Sequence, residues 1–324
     1  MLANLPASPV FVPRFPWLGG DLQTLRNTFV GGRDQFATPV GERLLLPMND
    51  GSSDTLAAML SPTTGNKPLV ILLHGLTGCE TSPNVLRAHH LFSSAQFPVL
   101  RLNFRGSGPS LPTSSSSWCG GSSQDLADAL LALDKSLTCN GIFICGVSLG
   151  ANLLLRFLAE FGENFPLIGA VSVSAPIDLA AASKTLLKPR NAIYQWHLLR
   201  QMKKDTGAIA LPGETIRKFM ATKSIYQFDD VYVAPQHGFE GADHYYESCK
   251  ALRFLDRIKI STLVIHARND PWIPARAYDD FDWSANSALT LLFPDSGGHV
   301  GFHSRGTTTS WHDACALEFL KKLI

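Results

Sequence analysis

Long apolar runs are missing from this sequence. No stretch reaches the roughly 18 residues a helix needs to cross a bilayer. A charge excess is missing too: 28 Lys and Arg stand against 27 Asp and Glu, a formal charge of +1. That balance gives no general electrostatic reason to expect nucleic acid as a partner. Cysteines are few, and Cys79, Cys119, Cys139, Cys145, Cys249 and Cys315 show neither CxxC pairs nor zinc-ligand spacing. In a chain of this size they read as free thiols of a reducing compartment, with Cys145 in an apolar run as core packing. The first residues, MLANLPASPVFVPRFPW, lack a basic start before an apolar block, so no secretory leader is expected and the placement is read as cytoplasmic. Their prolines suggest an arm, about residues 1–40, laid over a domain. His89-His90 and His299-x3-His303 have no matching carboxylate or cysteine set, so neither a metal nor another cofactor is implied.

What is present is an alternation. Hydrophobic residues make up 45% of the chain and charged ones 17%, a globular composition able to bury a large core. Leu69 to His74 reads as a buried strand and Pro83 to Ala95 as a helix. Pro98 to Phe104 is a second strand, followed by a helix from Ser123 to Leu137. GIFICG is a third strand ending at Cys145, followed by a helix from Leu149 to Phe161. Leu167 to Pro176, Ser261 to Ala267 and Ala288 to Pro294 supply three more strands, with a helix after Pro274 and another at the end of the chain. This pattern predicts an α/β fold with a mostly parallel, doubly wound sheet covered on both faces.

The alternation stops between Ile177 and about Asp243. Helical patterns at Ile193 to Lys204 and Glu214 to Ile225 make 177–243 a helical cap or lid insertion, with 1–176 and 244–324 forming the core. Between Ile177 and Gln227 nine basic residues face three acidic ones. That reads as a solvated lid face, with peripheral contact to anionic lipid as the other reading. The apolar Ile193, Trp196, Leu198, Leu199, Phe219 and Met220 are candidates either for an acyl pocket or for packing the cap on the core.

The most informative stretch is FICGVSLGAN, Phe143 to Asn152. A Gly-x-Ser-x-Gly pattern carries little alone. Here, however, it lies between a strand and a helix, so Ser148 occupies the turn, and Gly146 and Gly150 remove side chains that would strike neighbouring elements. A serine hydroxyl needs a base, and the base needs an orienting acid. In a doubly wound sheet both should follow later strands. Asp270 follows STLVIHA, and His299 follows ALTLLFP within DSGGHVGF. Asp178, just past VSVSAPI, is a rival acid; His303 and His312 are less suitably placed bases. Backbone donors for a developing oxyanion should come from Leu149 and from Leu76, in the loop His74-Gly75-Leu76-Thr77-Gly78.

These residues together resemble the α/β-hydrolase fold. Within it, FPWLGGDLQTL (Phe15 to Leu25), HGLTG, RGSG (Arg105 to Gly108), GVSLGAN and FDDVYVAPQHGFEGADHYYESC (Phe228 to Cys249) are similar to the YheT-like subfamily of bacterial esterases and eukaryotic lipid-acting relatives. The resemblance implies Ser148 as nucleophile, Asp270 as acid and His299 as base. It also implies action on acyl esters, including medium-chain and lipid esters, with acyl transfer to alcohols in some relatives. Asn269 stands where relatives often carry a second acidic residue, so it offers no substitute acid. The resulting expectation is a serine hydrolase of carboxylic esters. An acyltransferase or thioesterase using the same acyl-enzyme is the alternative, and a non-catalytic binding homologue the third reading. The oligomeric state is not legible.

Overall fold

A computed structural model of the 324-residue chain describes residues 10–29, 39–63, 65–209 and 211–324. Part of the anticipated arm, residues 1–9 and 30–38, lies outside the described residues. Eight strands form one sheet among the described residues: β1 Glu42–Pro47, β2 Thr55–Ser61, β3 Leu69–Leu73, β4 Val99–Leu102, β5 Ile142–Val147, β6 Leu167–Val173, β7 Thr262–Ile265 and β8 Leu289–Leu292. Their spatial order is β1-β2-β4-β3-β5-β6-β7-β8. The first two ladders are antiparallel and the remaining five parallel.

The apolar run LVILL is buried at all five positions because both faces of β3 are covered. Leu69, Ile71 and Leu73 point into one core cluster, while Val70 and Leu72 point into another. Among the helices, α1 is Gly20–Phe29, α2 Pro83–Ser94, α3 Ser123–Leu131 and α4 Leu149–Phe161. Between β6 and β7 run α5 Leu179–Leu186, α6 Ala192–Thr206, α7 Gly213–Met220 and α8 Ala242–Cys249; α9 Trp311–Leu323 ends the chain. Helices α3 and α4 cover the first face, α2 and α9 the second.

Several expectations need correction. The antiparallel pair β1–β2 was not anticipated. The helix read as Ser123 to Leu137 stops at Leu131, because the Asp134 side chain accepts from the Ser136 N–H and starts a separate turn, Lys135–Thr138. The third strand continues to Val147 rather than ending at Cys145. The helix after Pro274 is a single turn, Arg276–Asp279.

The helical segment between β6 and β7 builds its own apolar cluster from Leu179, Leu198, Leu199, Phe219, Tyr232 and Tyr245, with Cys119 contributed by the loop before α3. Its FDD…YY block supplies the ties to that loop. The Tyr245 hydroxyl accepts from Gly120 N–H at 2.9 Å, and His237 Nε2 meets Ser117 O at 2.8 Å. Tyr246 donates to Asp229 Oδ2 at 2.7 Å, and burial pushes the Asp229 carboxyl up to about 7. Ile193, Trp196 and Met220 are not pocket-lining residues. They face solvent, at 79%, 60% and 52% exposure, because the inward sides of their helices carry Leu198, Leu199, Met202 and Phe219.

Candidate active site

The parallel strands deliver their following loops to one edge of the sheet, and that edge carries the candidate site. Ser148 lies between β5 and α4 with φ 53° and ψ −128°, a conformation that costs a non-glycine residue about 1–3 kcal/mol. The flanking glycines are required by backbone, not by side chains. A Cβ on Gly150 would sit 2.1 Å from His74 O, and one on Gly146 would sit 2.9 Å from Gly150 O. Gly75 lets the loop after β3 close on the serine, for a Cβ there would stand 2.9 Å from the Ser148 Cβ. Leu76, next in that loop, is half-buried, as are Ser148 and Leu149. Leu149 is the first residue of α4, where an N–H has no intrahelical acceptor.

His299 Nε2 lies 2.9 Å from Ser148 Oγ, and His299 Nδ1 lies 2.8 Å from Asp270 Oδ2. The other carboxylate oxygen accepts the N–H groups of Trp272 and Ile273 at 2.8 and 3.0 Å. Burial by itself would raise the Asp270 carboxyl. The charge and hydrogen bond of His299, with smaller help from His266 and the Ile273 amide, instead hold it below its ordinary range. The Trp272 ring covers the imidazole of His299, with centroids 4.3 Å apart.

Asp178 is engaged elsewhere: its Oδ1 accepts the Ala181 N–H at 3.0 Å and caps α5. His303 and His312 are buried away from Ser148. The ring of His303 faces Arg26, while His312 faces Asp313. His74 supports the neighbouring loop as a neutral ring. Its Nδ1 meets Gly75 O at 2.8 Å, its Nε2 accepts from Phe104 N–H at 3.2 Å, and burial draws it down to about 4. His266, stacked on Tyr278 with centroids 4.0 Å apart, is likewise drawn down to about 4 by burial. Among the described residues no three His, Cys, Asp or Glu side chains gather as metal ligands would.

Several contributors escaped sequence reasoning. Asn269 accepts the Gly298 N–H at 3.0 Å and donates to Ser296 Oγ at 3.2 Å, so it joins the acid loop to the histidine loop. Ser174 Oγ accepts the Val300 N–H at 3.1 Å. Asn152, the last letter of GVSLGAN, donates to Gly120 O and Cys249 O and accepts the Ala251 N–H. Its placement one turn after Ser148 was the available signal, since a buried amide needs several partners.

A sequence model described as the alpha/beta hydrolase family matches residues 70–309. The chain belongs to this family. Among its hydrolase relatives, "Putative esterase YheT" of Escherichia coli (strain K12) is 31% identical over 305 residues, 91% of this chain and 88% of that protein. "Medium-chain fatty acid ethyl ester synthase/esterase 2" of Saccharomyces cerevisiae is 28% identical, covering 79% of this chain and 62% of the yeast protein. The solved Pyrococcus furiosus esterase Pf2001 shares the hydrolase fold with a TM-score of 0.60 at 18% identity, covering 87% of this chain and 89% of that one. Among the described residues of this family member, no helix is long and apolar enough to cross a membrane.

The buried neutral histidines predict acid sensitivity. For His74 and His266 the folded value lies below the unfolded 6.5, so the unfolded chain binds more protons as pH falls. Their stabilisation is complete above pH 6.5 and is lost as pH drops toward about 4. Each should forfeit about 2 kcal/mol between pH 7.5 and 5. His303, drawn down to about 2 by burial and nearby Arg26 and Arg87, acts in the same direction. Asp229, raised to about 7, opposes them by a similar amount for one residue. The urea unfolding midpoint is therefore expected to fall between pH 7.5 and 5. A midpoint that held or rose would contradict burial of these rings in their neutral form.

Proposed function

We propose that this chain is a carboxylic ester hydrolase working through an acyl-enzyme on Ser148. The observation that carries the reading is the relay from Ser148 Oγ through His299 to Asp270, at 2.9 and 2.8 Å, on three separate loops of one sheet edge. With Nδ1–H donated to the ionised Asp270, the unprotonated Nε2 of His299 is free to take the serine proton. Ser148 Oγ then attacks the ester carbonyl, and the N–H groups of Leu149 and Leu76 receive the developing oxyanion. His299 returns the proton to the departing alcohol, and a water activated in the same way releases the acid.

The surroundings and the relatives support a reading of the substrate class. The segment 177–243 acts as a cap, and its apolar cluster meets the site at Leu76, Leu149 and Trp272. These apolar side chains beside Ser148 favour an acyl chain of short to medium length, or a lipid ester, as the group presented to the serine. The yeast relative's name couples ester synthesis with hydrolysis, which favours a second reading in which an alcohol replaces water at the acyl-enzyme.

The test is labelling of the purified protein by a fluorophosphonate, which reacts only with an activated serine. One label per chain, mapped to Ser148, is expected, and esters formed when ethanol accompanies an acyl donor would identify the transfer reading. Absence of labelling beside a labelled control esterase would remove the hydrolase mechanism.

A further inference from the structure

We infer that α1 is a working part of this site and that Thr24 is the positioning residue that fixes the backbone of His299; the inference rests on the reading of Ser148, His299 and Asp270 given above. The histidine loop does not adopt its shape cheaply. Gly297, Gly298, Val300 and Phe302 all have positive φ, at 155°, 61°, 52° and 47°. The two non-glycine residues among them each carry strain of about 1–3 kcal/mol. Such a loop stays in place only when its surroundings over-determine it.

The surroundings here come from a segment more than 270 residues away in sequence. The His299 N–H donates to Thr24 Oγ1 at 2.8 Å, while the same hydroxyl donates to Gly20 O at 2.7 Å. The second bond uses the hydroxyl proton, so the oxygen is left as an acceptor for His299. One residue earlier, the Gln23 amide accepts the His303 N–H at 2.6 Å and donates to Trp17 O and His303 O. The elements meet backbone to backbone. A Cβ on Gly298 would lie 2.4 Å from Gly20 O, one on Gly301 2.5 Å from Gln23 O, and one on Gly20 2.0 Å from Asn269 O.

Helix α1 therefore touches the loop of the acid and the loop of the base together. Gln23 holds the far end of the histidine loop, and Ser174 and Asn269 hold Val300 and Gly298. Thr24 is the side chain that accepts the backbone N–H of His299. A shift of about 1 Å in a catalytic group is enough to cost on the order of 100-fold in rate, so this contact acts on turnover through His299 without meeting substrate.

The experiment compares wild type with Thr24→Val, which keeps the shape and removes the acceptor, and Thr24→Ser, which keeps the hydroxyl. In Thr24→Val, kcat on a p-nitrophenyl ester should fall roughly 10- to 100-fold, with KM within about 2-fold of wild type. Its thermal midpoint should stay within about 4 °C of wild type. Thr24→Ser should recover most of the rate. A readout independent of turnover is the low-field proton of the His299 Nδ1–H to Asp270 hydrogen bond, assigned by its absence in His299→Asn. It should be sharp in wild type and Thr24→Ser, and broadened or lost in Thr24→Val. A Thr24→Val protein with wild-type kcat and a sharp proton overturns the inference. So does a joint loss of rate and thermal midpoint in both variants, which would make Thr24 a packing residue. If wild type turned over no ester at all, the hydrolase reading would fail while the proton resonance still decided whether Thr24, by fixing the His299 backbone, keeps the imidazole on Asp270.

Discussion

Replacing Ser148 by alanine is expected to lower ester turnover by at least about 10⁴-fold and to abolish fluorophosphonate labelling. The structure makes this a test of chemistry with little folding cost. Alanine retains a Cβ, so the strained backbone at φ 53° is neither relieved nor worsened. The close approaches at Gly146 and Gly150 are to backbone, and the tightest at Gly75 is to the Ser148 Cβ, which alanine keeps. What disappears is the single oxygen 2.9 Å from His299 Nε2. Assays with p-nitrophenyl esters from acetate to palmitate give the wild-type optimum and measure the variant against it. A variant that kept even one-tenth of wild-type turnover would move the nucleophile away from Ser148.

The parts of this molecule that were legible in the sequence are those whose causes are local. LVILL is a buried strand because five consecutive apolar residues can be covered only on two faces. The serine turn could be read because its two glycines, the end of the strand before and the start of the helix after all fall within ten residues. The pair β1–β2 gave no such signal. In β1 only Leu46 is buried, and β2 carries Ala57 and Ala58, poor strand formers that serve there because neighbours press close. The outward aspect of Ile193 and Trp196 was hidden for another reason. Both are apolar, and the rotation of α6 is set by Leu198, Leu199 and Met202 against the segment it covers. Least legible was the contribution of α1, since Thr24 and His299 are joined only by the fold.

The choice between Asp270 and Asp178 belongs to the same class, because both follow a strand at the correct edge and only their hydrogen-bond partners separate them. Asp270→Asn is expected to lower kcat about 10³- to 10⁴-fold with little change in KM. The reason lies in the atoms that already surround Asp270. Its Oδ1 accepts two backbone N–H groups, from Trp272 and Ile273, and an asparagine must keep its carbonyl oxygen there. The amide NH₂ then falls at the position of Oδ2, 2.8 Å from His299 Nδ1. A donor in that place turns Nδ1 into an acceptor and moves the ring proton to Nε2, where it blocks proton transfer from Ser148. Asp178→Asn should behave differently. Its task is to accept the Ala181 N–H at the start of α5, and asparagine caps a helix about as well as aspartate. Turnover should be retained and stability altered by less than about 0.5 kcal/mol. Measuring kcat and KM for both variants beside their unfolding midpoints separates the two carboxylates. A dead Asp178→Asn beside an active Asp270→Asn would reassign the acid to the loop after β6.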